Sequence, residues 1–214
     1  MKNSITTFLS LTGAILAIGS PTASAIIIQD SNAGGNSGTD NVLFNAIVND
    51  ATNPLQASVN GQAGFIVNFN STSDTLIGNG GQATLGTADG SFSNLSISLA
   101  NGTFTKLILN PTAGPTGGTI NFSVNYNVGN LIFLDSFSLS ANGNNFFQVL
   151  AGGGETINSV TFNTVGTGIV GSGQFRIGGL AGPTTSVPDG GATVALLGLA
   201  LGGLSVGRRF LNKA

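Results

Sequence analysis

Few side chains in this sequence can do chemistry. The 214 residues include no His and no Cys. Cys/His zinc sites, thiolate nucleophiles, disulfides and the Ser-His-Asp triad are therefore excluded together. Hydroxyls, eight carboxylates and six Lys or Arg remain. Hydrolysis of a glycosidic bond needs two carboxylates at a set separation. Asp135 and Glu155 are the candidates, yet each stands alone among polar residues with no motif around it. Asp40, Asp74 and Asp89 adjoin Gly, Asn or Ser in turn-like stretches, where an Asp commonly closes an Asx-turn on its own backbone. The expectation is a protein that is not an enzyme.

Oxygen ligands admit one metal. Asp30-Ser31-Asn32 and Asp40-Asn41 flank a Gly-rich loop and could supply hard donors to a structural calcium ion. No EF-hand loop or nonapeptide Asp repeat accompanies them, and no other cofactor is expected. Asp135 falls in a strand pattern near the level expected for Arg176, which should pair with a carboxylate or cap the edge of a sheet.

Charge is scarce and unevenly placed. Only 7% of the residues are charged, and there are 34 Gly. Between Ile26 and Ser186, Lys106 and Arg176 face Asp30, Asp40, Asp50, Asp74, Asp89, Asp135 and Glu155: two cations against seven carboxylates, or net −5. Such a body offers no footprint for counterion release, so nucleic acid is not an expected partner. Solubility must come from neutral hydroxyls and amides, a composition common to secreted β-proteins and also suited to matrix-associated ones.

The termini carry the remaining cations. Residues 1–25 begin with Lys2, continue through an apolar run from Phe8 to Ile18, break at Gly19-Ser20-Pro21 and end in Ala23-Ser24-Ala25. A basic start, a short apolar core and an A-x-A ending, in that order, read as a Sec signal cut by signal peptidase after Ala25. At the other end, Ser186-Val187-Pro188-Asp189-Gly190-Gly191 is polar and turn-prone. An uncharged run follows over 192–207, and the basic end 208–214 holds Arg208, Arg209 and Lys213. From Gly190 to Gly207 there are 18 uncharged residues, the short limit for a membrane-spanning helix. The three cations form a stop-transfer cluster that stays in the cytoplasm and leaves the body outside. Five glycines between Gly190 and Gly203 weaken that helix.

The order of motif, short apolar helix and basic end resembles the tails of PEP-CTERM proteins, in the VPDSG-CTERM variant. Val187, Pro188, Asp189, Gly190 and Gly191 carry the resemblance; Gly190 stands where the variant has Ser. It implies processing by an exosortase, an integral-membrane cysteine protease-transpeptidase, with Pro188 and Asp189 as the main recognition residues. The expected location is exported: transiently membrane-anchored through the C-terminal helix, then cell surface or extracellular matrix.

What must present this tail is a β-rich body, residues 26–180, joined by the linker 181–186. Apolar residues alternate with polar ones over Phe92–Leu99, Phe104–Leu109, Ile120–Tyr126, Leu131–Leu139, Phe146–Leu150, Ile157–Phe162 and Phe175–Ile177, with earlier candidates at Val42–Val48 and Phe65–Phe69. A period of two is the signature of half-buried strands. Helical periodicity of useful length shows only over 42–53. Asp89-Gly90, Asn101-Gly102, Gly117-Gly118, Gly129-Asn130, Asn142-Gly143 and Gly152-Gly153-Gly154 punctuate the runs and suit tight hairpins. The expected fold is all-β: an antiparallel β-sandwich or jelly roll of about nine to eleven strands, flanked by an N-terminal signal helix and a C-terminal transmembrane helix. The segment from Asn144 to Leu180, ending in Arg176-Ile177-Gly178-Gly179, also resembles β-sandwich ectodomains carried in front of PEP-CTERM tails.

The leading expectation is thus a surface or matrix protein associated with exopolysaccharide. A carbohydrate-binding module on the same sandwich is the alternative. With no Trp and only Tyr126, its aromatic platform would have to come from Phe146-Phe147, one of which should face away from the core.

Overall fold

A computed structural model describes residues 26–30, 35–44, 53–80, 84–127, 131–141, 143 and 145–182, the side chain of Leu131 excepted. All thirteen regular elements among them are strands. The first six are β1 (Ile26–Gln29), β2 (Asp40–Leu43), β3 (Leu55–Val59), β4 (Ile66–Asn70), β5 (Leu76–Asn79) and β6 (Thr84–Thr87). Then come β7 (Asn94–Leu99), β8 (Lys106–Ala113), β9 (Gly118–Tyr126) and β10 (Leu131–Leu139). The last are β11 (Phe147–Ala151), β12 (Ile157–Val165) and β13 (Ile169–Gly178). Among the described residues no helix is long and apolar enough to cross a membrane. The expected signal helix (1–25) and tail helix (192–207) lie outside the described residues.

Every pairing is antiparallel, and the strands follow one path, β1-β11-β8-β13-β2-β3-β4-β7-β12-β9-β10, with the β5-β6 hairpin attached to β13. The path turns a corner at β2. Asp40 and Asn41 pair with Ile177 and Arg176 of β13, whereas Val42 and Leu43 pair with Val59 and Ser58 of β3. The corner divides a first sheet (β1, β11, β8, β13, β6, β5) from a second (β3, β4, β7, β12, β9, β10). Their inward residues form one sandwich-like core, with Leu107, Leu109, Val149, Phe175 and Ile177 on one side and Phe69, Leu95, Ile97, Phe122, Val124 and Phe162 on the other.

Phenylalanine dominates that core. Eight of the 14 Phe are among its largest fully buried side chains, each contributing on the order of 2 kcal/mol in transfer free energy. Phe122 is the hub, with ring centroids 5.0 Å from Phe147, 6.0 Å from Phe162 and 6.1 Å from Phe137, all edge-to-face. Such geometry sets a positive ring edge on a negative face and adds roughly 0.5–1.5 kcal/mol per pair. A second group joins Phe69 to Phe175 at 4.8 Å and to Phe44 at 5.5 Å. A Cβ on Gly78 would lie 2.8 Å from the Phe44 ring, so this glycine leaves the strand face open for an aromatic ring.

Two sequence readings meet the structure differently. Of the two patterns over Val42, the strand candidate holds at Val42 and Leu43, the helical period does not, and residues 45–52 lie outside the described residues. The Gly-bearing turns take the positive φ that favours Gly, at Gly90, Gly102, Gly117, Gly153 and Gly154. Yet these turns carry the chain from one sheet to the other, since β6-β7, β7-β8, β8-β9 and β11-β12 are not paired. Local φ fixes that the chain reverses; the hydrophobic faces decide which strand it meets next.

Replacing the hub, Phe122→Ala, should cost about 3–5 kcal/mol, read as a lower denaturant midpoint. A Cβ on Gly178 would overlap the carbonyl oxygen of Gly38, whereas one on Gly86 would meet nothing within 4 Å. Gly178→Ala should therefore destabilise markedly, while Gly86→Ala stays within about 1 kcal/mol of wild type; equal melting temperatures for the two variants would contradict this packing.

Candidate functional site

The body gathers both of its chain ends at one pole. Ile26 opens β1 and pairs with Ala151. The Ala151 N–H donates to Thr105 O at 2.8 Å, and the Thr105 N–H donates to Gly178 O at 3.0 Å. Ile26 and Gly178 therefore share one row of the first sheet, three strand spacings or about 15 Å apart. Beyond Gly179, whose φ of 62° is the left-handed value that Gly tolerates, Ala181 exchanges two backbone hydrogen bonds of 2.9 Å with Thr103. The chain is thus held to its last described residues. Ala23 and Ala25, the sorting residues Val187 to Gly191, and Arg208, Arg209 and Lys213 lie outside the described residues. The segments that carry them join the body here, at what is hereafter the exit pole.

Both cations of the body sit at this end. Lys106 Nζ donates to the carbonyls of Gly35 and Ser37 at 3.3 and 3.2 Å. Arg176 binds uncharged partners, Asn41 of β2 and Thr39 just before it, rather than a carboxylate. Its Nε donates to Thr39 Oγ1 at 3.0 Å, one terminal nitrogen to Thr39 O at 2.7 Å and the other to Asn41 Oδ1. Asp40 Oδ2 accepts from Gln62 Nε2 at 3.1 Å. The Asp40-Asn41 half of the expected calcium site is thus engaged by protein donors, and Ser31 and Asn32 lie outside the described residues. No group of three or more acidic side chains is placed to share a metal among the described residues. A cleft of about 400 Å³ opens between Thr39, Asp40, Gln62 and Gly179.

Asp135 and Glu155 are not brought together. Asp135 lies on edge strand β10 in the row of Phe122 and Phe162, and its Oδ1 accepts from the Ser136 N–H at 2.8 Å. Glu155 precedes β12, and five residues, about 17 Å of strand, separate Ile157 from Phe162. That exceeds the roughly 5–9.5 Å between the carboxyls of a glycosidase pair. Arg176 belongs to the other sheet and donates its hydrogen bonds to Thr39 and Asn41.

The far pole unites two carboxylates that are remote in sequence. Asp74 and Asp89 line one cleft with Ser73 and Ser91. The exposed Asp89 carboxyl is held below its ordinary range, in the first place by the Thr87 side chain beside it. Desolvation opposes this, and the Ser91 and Asp89 N–H groups and the Asp74 side chain add lesser favourable effects.

One surface went unnoticed in the sequence. The outward residues of the second sheet form rows across its strands: Gln56, Asn68, Ser98, Ser159, Asn125 and Ile132 in one, and Asn70, Ser96, Thr161, Ser123 and Leu134 in the next. Gln56 Nε2 donates to Asn68 Oδ1 at 2.9 Å, Thr161 Oγ1 to Ser96 Oγ at 3.1 Å and Ser136 Oγ to Asn121 Oδ1 at 2.8 Å. These rows carry no charge. Period-two alternation could have revealed them, had the polar positions been followed as closely as the apolar ones. Of the aromatic pair, Phe147 is 1% exposed in the core, while Phe146 is half-buried outside the core cluster and does not stand free as a platform.

No curated protein matches the chain. A family model does match residues 186–209, and its description is the VPDSG-CTERM motif. The matched segment begins five residues past Ala181, where the body's last backbone bridge is made. A β-rich body whose final strand leads directly to this signal makes the chain a bearer of the VPDSG-CTERM motif, a sorting signal of the PEP-CTERM type.

Proposed function

We propose that this is an exported, non-enzymatic protein of the cell surface or extracellular matrix, sorted and processed by an exosortase through its C-terminal tail. The observation that carries the reading is the sorting motif at 186–209. Signal peptidase removes residues 1–25. The 192–207 helix then holds the chain in the membrane, with Arg208, Arg209 and Lys213 on the cytoplasmic side. Val187 to Gly191 lie at the outer end of that helix, where the exosortase reads Pro188 and Asp189. The body acts as cargo and calls on no cofactor. In a host with its exosortase, mass spectrometry should find a product beginning at Ile26 and lacking Arg208 and Arg209. Deleting the exosortase, or substituting Asp189→Ala, should leave the basic end attached; a processed product in the deletion strain would refute the reading.

A second reading, a carbohydrate-binding module acting on exopolysaccharide, is favoured by the uncharged Asn, Ser, Thr and Gln rows of the second sheet. Neutral hydroxyls and amides match sugar hydroxyls in hydrogen-bonding capacity. Without ionic contacts, such binding would be insensitive to salt. Affinity electrophoresis through the host's exopolysaccharide should then retard the wild-type protein equally at low and high salt, and Thr161→Lys should abolish the retardation. Migration unaffected by the polysaccharide would rule this reading out.

A further inference from the structure

We propose that, before the tail is cut, the body stands on the lipid headgroup surface on its exit pole, with the Asp74–Asp89 pole pointing away. The inference rests on the anchored-tail reading above, and three observations on the described residues orient the body.

The first is reach. Ala181 is bonded to Thr103, and Val187 follows six residues later. At 3.3–3.6 Å per residue this tether spans at most about 20 Å. The ten residues of β13 alone extend about 30 Å from pole to pole. An inverted body cannot reach the motif's position, so the exit pole must lie close to the bilayer.

The second is that Ile26 and Gly178 share one end of the first sheet. Until signal peptidase acts, the segments at both chain ends draw this same pole toward the membrane.

The third is charge. Among the described residues, Lys106 and Arg176 are at the exit pole, where Asp40 and Glu155 offset them. Asp74 and Asp89 lie at the other end with no cation near them, since the body has no others. Anionic headgroups repel carboxylates within a Debye length of about 8–10 Å and hardly act beyond it. Upright, the body keeps both Asp outside that range. Ile27 and Ile132, close to the exit pole on the two edge strands, are 51% and 63% exposed and can rest against the headgroup layer. Val165 and Val170 are also exposed toward the far end, so apolar contact alone would not choose between the poles; tether and charge do.

The absence of native Cys makes the test direct. A single fluorophore is attached at Ala63→Cys, in the exit-pole turn between β3 and β4, or at Ala88→Cys, in the far-pole turn after β6. The chain, with its tail intact, is reconstituted into vesicles of phosphatidylethanolamine and phosphatidylglycerol bearing a headgroup quencher. The expected result is co-flotation with the vesicles and at least a several-fold greater quenching at position 63 than at 88. Flotation with equal quenching at the two positions overturns the proposal and leaves the anchored tail standing. Quenching at position 63 that appears only when exosortase is added assigns the pole to the enzyme instead and likewise overturns it. A chain that does not float with the vesicles removes the anchored tail, and this proposal with it.

Discussion

A four-residue strand shared between two sheets holds this molecule closed. Asp40 and Asn41 of β2 complete the edge of β13, and Val42 and Leu43 begin the second sheet against β3. The Arg176 guanidinium binds Thr39 and Asn41 at the turn of that corner. Hydrogen bonds from a charged donor are worth more than neutral ones, about 1.5–3 kcal/mol. In a body with two cations, one is committed to this junction. The neighbouring contacts depend on it: Gly38 O can lie against Gly178 only while Thr39 is held in place. Loop 103–105 then bridges Ala181, Ile157 and Gly178 in turn, tying the two sheets together at the exit.

Much of this was legible in the amino-acid order. The long runs with Phe, Ile, Val or Leu at alternate positions, such as Phe92–Leu99 and Ile120–Tyr126, are strands with the expected faces buried. Strands β1, β3, β5 and β6 were missed. They are four or five residues long, and two of them place Ala or Gly where the pattern needs a large side chain: Ala57 and Gly78. Their strand character comes from neighbours, as when Phe44 fills the space over Gly78. Pairing order was also hidden. Turn residues specify a reversal, while a hairpin and an arch between sheets differ only in which face the next strand buries. Asn41 and Thr39 gave no sign of being the partners of Arg176, because neither is charged and the pairing spans more than 130 residues. Of the functional segments, the sorting motif was legible, since it is a linear code that needs no tertiary context.

The distribution of charge follows from the same economy. A protein with 7% charged residues must hydrate its surface through dipoles, and the second sheet does so with rows of amides and hydroxyls that partly satisfy one another. Such a face has little long-range field. What field the body does have comes from a few carboxylates toward its far end and along β10, which gives an otherwise neutral object a direction.

The pairing order has a temporal consequence. β1 finds its partner in β11, and β2 finds one of its two in β13, the last strand. Contacts this distant in sequence make folding slow and leave the early strands without neighbours until late. On the export route proposed above, with the N-terminus threading first, the first sheet cannot be completed until Gly178 has crossed. Local pairs such as β3-β4 and β9-β10 can form early, but the first sheet stays open. It closes only once the segment behind it, with the sorting signal, has begun to arrive at the membrane.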